Sequence, residues 1–97
     1  MKFSIPNPGG LPLHWLRRLG YQASPQRDSY VRRLSSAGYP RFHLYIDQID
    51  EKNCNLSLHL DQKKVSYQGQ SAHSGDYEGT IVVEEKARII SLLDLQN

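Results

Sequence analysis

Two segments of the chain alternate strictly between apolar and polar positions: Arg41-Phe42-His43-Leu44-Tyr45-Ile46-Asp47 and Asn55-Leu56-Ser57-Leu58-His59-Leu60-Asp61. Phe42, Leu44 and Ile46 share one parity, as do Leu56, Leu58 and Leu60. The other parity is polar throughout. A period of two predicts strands with one face buried and one face open. The polar turn Asp50-Glu51-Lys52-Asn53 between them predicts antiparallel neighbours. A turn centred on Glu51 pairs residues whose numbers sum to 102, placing His43 opposite His59, Arg41 opposite Asp61 and Tyr45 opposite Ser57. A slip of two residues would put His43 opposite Asp61 and Tyr45 opposite His59. A slip of one would turn the leucines to water.

The remaining pattern predicts a helix, a further strand and a closing helix. Residues 1–10, with Pro6, Pro8, Gly9 and Gly10, read as an irregular arm, and residues 11–97 as one domain. Leu11 to Gly20 reads as a short helix, with Pro12 in its first turn and Gly20 as a left-handed cap. Leu13, Leu16 and Leu19 fall on one side of it. Ser29 to Leu34 reads as a strand whose Arg32 and Arg33 point to opposite faces. Gln62 to Gly79 is a long connection of little periodicity, of a length usually functional or disordered. A short strand near Val65–Gln68 fits inside it. From Ile81 or Val82 to Leu93, the stripe Val83, Ala87 and Ile90, widened by Val82, Ile89 and Leu93, predicts a helix. Glu84 stands where it can pair with Arg88 one turn on. The expected fold is α+β: an antiparallel sheet of three or four strands, with both helices packed on one face.

The chain has 97 residues, one modest core's worth. It has no apolar run of membrane-span length and no signal-peptide core, so the expected location is cytoplasmic and off the membrane. The lone Cys54 agrees with that location and reads as a small filler beside a turn. Net charge is +2, but unevenly spread. Residues 1–46 carry seven basic groups and one acid, and residues 47–97 carry five basic groups and nine acids. Either the arginines converge on an anion or the two halves pair with each other.

Three kinds of site are consistent with these residues. Arg41, Lys63 and Lys64, with Tyr45 as a stacking ring, suit an anionic partner such as RNA. His43, His59 and Asp61, joined by His73 with Asp76 or Glu78 from the long connection, suit zinc or a metal-free acid–base site. No compact metal-ligand signature is present, and histidine and tyrosine also occur on half-exposed strands simply as packing residues. Trp15, Tyr21 and the arm would form a protein-docking patch if exposed, although a domain this small needs its one tryptophan inside.

The segments Pro40–Ile46, Leu58–Lys64 and Ala72–Tyr77 resemble a family of short uncharacterised prokaryotic proteins prominent in candidate-phyla bacteria. That resemblance spans nearly the whole chain and implies that the three polar-faced segments form one site. It carries no established activity. The Leu16–Tyr21 helix end followed by a strand is also similar to HicA-type toxins, whose double-stranded-RNA-binding-like fold runs helix, three strands, helix. Their usual Gly-Ser-His entry into the first strand is replaced here by Arg27-Asp28-Ser29-Tyr30. The function expected from the sequence is a small binding domain for RNA or another anion, working through the open sheet face and residues 62–79. A histidine-dependent or metal-binding enzyme is the alternative, and a non-catalytic protein adapter the third reading.

Overall fold

The computed structural model describes residues 1–62 and 74–95. Among the described residues seven elements follow one another: β1 (Lys2–Pro6), α1 (Pro12–Arg18), β2 (Gln22–Ala23), β3 (Ser29–Arg33), β4 (Arg41–Ile49), β5 (Asn53–Asp61) and α2 (Ser74–Leu95). The strands form one antiparallel sheet in the order β1-β5-β4-β3-β2. The fold is therefore α+β, with five strands where the hydrophobic pattern indicated three or four.

The first extra strand corrects the reading of residues 1–10 as an irregular arm. Lys2-Phe3-Ser4-Ile5 alternates too, and Phe3 and Ile5 pair with Leu56 and Cys54 on the core side. Pro6 ends the strand on an edge, where its missing N–H removes no bond from the ladder. The second, β2, is only two residues long and too short to show a period.

Of the two registers the pattern permits, the one centred on Glu51 is observed. Arg41, His43 and Tyr45 lie opposite Asp61, His59 and Ser57. The register then shifts, since Ile46 faces Leu56 but Gln48 faces Asn55. Asp47 is the extra residue of this bulge, and the Ser57 hydroxyl donates to its carboxylate. In the turn, the backbone N–H groups of Lys52 and Asn53 donate to Asp50 Oδ1 at 2.9 and 2.8 Å. These bonds hold the Asp50 carboxyl below the usual carboxylate range.

Both helices cover the same face. Trp15, Leu16 and Leu19 of α1 and its cap meet Val82, Ile89 and Leu93 of α2 over Ile5, Phe42, Leu44, Leu56 and Leu58. Cys54, just past the turn, is fully buried in this core. Burying it pushes its thiol up to about 11, with Asp47 adding to the effect. Gly20 takes the left-handed conformation expected of it, with φ of 96°.

The closing helix departs from the expected pattern in three ways. It starts at Ser74, inside the stretch read as a long connection. Its buried stripe is centred on Val82, Ile89 and Leu93, so Val83 faces solvent. Glu85, not Glu84, pairs with Arg88. Among the described residues no helix is long and apolar enough to cross a membrane.

Candidate functional site

The open face of the sheet carries Arg33, Arg41, His43, Tyr45, His59 and Asp61. Arg33 and Arg41 are cross-strand partners, as are Val31 and His43, and Ser29 and Tyr45. Residues 24–28 fold over this part of the face. The Ser24 N–H donates to the Ser29 carbonyl, and the Ile46 N–H to the Asp28 carbonyl, both at 2.9 Å. Asp28 turns the chain with φ of 54°, a left-handed conformation that Asp tolerates better than most residues. A cavity of about 270 Å³ lies beneath this turn, bordered by Ser24, Gln26, Arg33, Arg41 and His43.

His43 is only 7 % exposed although it belongs to the open face, with Ser29, Asp61 and the stacked Tyr45 ring around it. Both of its nitrogens are occupied. Nδ1 lies 2.9 Å from Asp61 Oδ2, and Nε2 is hydrogen-bonded to the Ser29 hydroxyl. In the neutral ring, with Asp61 accepting at Nδ1, Nε2 is the acceptor and Ser29 donates. The Ser24 hydroxyl in turn donates to Ser29 Oγ at 2.7 Å. The result is a one-way chain: Ser24 to Ser29 to His43, with His43 donating to Asp61.

Two rings extend the face. Tyr45 stacks on His43 with centroids 4.3 Å apart, so the ring expected to stack on a base already has one face covered. His59 is exposed and meets the edge of Tyr45 at 6.0 Å. His43 and His59 are thus register partners without sharing a ligand position. Among the described residues no three His, Cys, Asp or Glu side chains converge in a way that would hold a metal ion. His73, Lys63, Lys64 and the suggested Val65–Gln68 strand lie outside the described residues, and Asp76 and Glu78 outside the described side chains.

The uneven charges pair in part across the fold. Arg41 Nε lies 3.5 Å from Asp61 Oδ2, without the alignment of a hydrogen bond, and its guanidinium sits over the Tyr39 ring at 4.6 Å. Arg32, on the opposite face from Arg33, reaches Glu85 at 3.4 Å. Arg33 is exposed and has no ion-pair partner among the described residues.

A second polar cluster, which the hydrophobic pattern concealed, lies between the sheet and α2. Glu85 is 3 % exposed in the apolar seam of the helix. It accepts from the Tyr21 hydroxyl at 2.6 Å and from Arg88 Nε at 2.7 Å, while Arg88 also reaches the Leu19 carbonyl at 2.7 Å. Burial, with the nearby Glu85 charge, pushes the Tyr21 hydroxyl far above its usual range. Every partner here is satisfied within the fold, so this cluster ties α1, β3 and α2 together. Trp15 and Tyr21 are each 2 % exposed, so Trp15 is inside the core as expected and neither ring is offered to a partner.

A comparison with protein-family models, curated proteins and solved structures finds no match to this chain.

Proposed function

We propose that this protein is a small binding domain for an anionic ligand, RNA foremost, held on the open sheet face. One observation carries the reading: Arg33 and Arg41 stand directly opposite each other on β3 and β4, at the mouth of one cavity. Like charges in that position destabilise a sheet. A phosphate between them would turn the repulsion into two charge-assisted contacts. The neighbouring Tyr45 edge and the exposed His59 ring offer a surface along which a single strand would continue. Lys63 and Lys64, next along the chain from β5, would add phosphate contacts.

The test is titration of a labelled single-stranded RNA at several salt concentrations. Binding should weaken with salt, and Arg33→Ala combined with Arg41→Ala should lower the salt slope by about one unit per lost phosphate contact. Unchanged affinity and slope in the double variant would remove the reading.

A histidine-dependent enzyme is the second reading. The observation in its favour is the oriented contact of Ser29, His43 and Asp61, an arrangement that activates hydroxyl groups in many unrelated folds.

A further inference from the structure

The hydroxyl chain ends at the cavity, not at the buried serine. Ser29 is 2 % exposed and closed off from any substrate, whereas Ser24 is partly exposed and borders the cavity. A group that only satisfied His43 Nε2 would need one hydroxyl. Here a second hydroxyl continues the same direction of donation out to the arginine-lined space.

We infer that Ser24 is a nucleophile for phosphoryl transfer, activated by His43 through Ser29, with a phosphate ester as substrate. The arginine pair supplies what such a reaction needs most, positive charge on the non-bridging oxygens of the transferring group. The inference rests on the anion-site reading of Arg33 and Arg41.

The steps balance without an added reagent. The Ser24 Oγ–P bond forms and the bond from phosphorus to the leaving oxygen breaks. The Ser24 proton moves to Ser29 as the Ser29 proton moves to His43 Nε2, and Asp61 faces the resulting imidazolium at Nδ1. The departing alkoxide takes a proton from water. The hydroxide so formed attacks the phosphoserine, the Ser24 Oγ–P bond breaks, and Ser24 recovers through Ser29 the proton held by His43. The net reaction is hydrolysis of the ester. Ser29 and Asp61 are positioning residues in this scheme, because neither touches the substrate.

An alkyl fluorophosphonate probes the first step directly, since its P–F bond breaks as the serine ester forms. The folded protein should gain one adduct, located at Ser24 by peptide mass mapping and absent from Ser24→Ala. Ser29→Ala and His43→Gln should slow labelling on the order of 10²-fold. The wild-type rate should follow a single ionisation that disappears in His43→Gln. Ser29→Ala keeps the imidazole and tests the relay if His43→Gln fails to fold. Absence of an adduct, an adduct elsewhere, or labelling as fast in urea would overturn the inference. Protein that binds RNA yet takes no label contradicts this step alone. Protein that takes the label at Ser24 but binds no RNA contradicts the RNA reading and leaves the nucleophile standing.

Discussion

His43 faces His59 across β4 and β5, yet the two imidazoles serve different neighbours: His43 turns inward to Ser29 and Asp61, while His59 stays in solvent against the edge of Tyr45. Register therefore sets which residues are adjacent, and the neighbours Ser29, Asp61 and Tyr45 enclose His43 alone.

The tautomer of His43 follows from this enclosure. Long-range ¹H–¹⁵N spectra should show the proton on Nδ1 and a hydrogen-bonded, unprotonated Nε2 in the neutral ring. Asp61→Asn should disturb that assignment, and His59→Ala should leave it unchanged.

The opposed arginines should cost stability when no ligand is bound. Arg33→Gln is expected to raise the stability of ligand-free protein by a few tenths of a kcal/mol, up to about 1. Added inorganic phosphate should stabilise the wild type more than this variant. Thermal unfolding with and without phosphate measures both.

Glu85 holds two arginines and a tyrosine in place from inside the helix–sheet seam. Glu85→Ala leaves the buried Tyr21 hydroxyl without its acceptor and the half-buried Arg32 and Arg88 without their counter-charge, and should destabilise the fold by about 3 kcal/mol in urea. Tyr21→Phe keeps the ion pair and should cost about 1 kcal/mol.

Rising pH acts first through Cys54, whose ordinary value lies below that of the buried Tyr21. Its thiol is pushed up to about 11 in the fold, from an ordinary value of 9.0. The native state thus holds this proton more tightly than the unfolded chain. The associated stability is complete below pH 9 and is lost as pH rises toward 11. Cys54→Ala should flatten the fall of stability over that interval, and thiol reagents should react slowly until the protein unfolds.

The strand pair is legible because its alternation is uninterrupted over seven residues in each segment, and parity with turn position narrows the register to two choices a slip of two apart. The same logic fails for β2, where two residues cannot display a period. It missed β1 because Pro6, Pro8 and the two glycines suggested irregular chain, although Phe3 and Ile5 alternate correctly. Glu85 could not be read from pattern, because its place in an apolar seam depends on Tyr21, 64 residues away. Ser24 and Ser29 escaped notice for a related reason. A serine beside a proline turn looks like turn chemistry, and only the fold brings it to a histidine on the neighbouring strand. An arginine that falls opposite another was the signal available in sequence, once a β3–β4 pairing is assumed.

Backbone amide and arginine side-chain NMR shifts, recorded while titrating a short single-stranded RNA, test the anion site most directly. The largest changes should fall on Arg33, Arg41, His43 and residues 24–28, should diminish as salt is raised, and should vanish with Arg33→Ala and Arg41→Ala together. Shifts confined to the helical face, or unaltered in that double variant, would contradict the account.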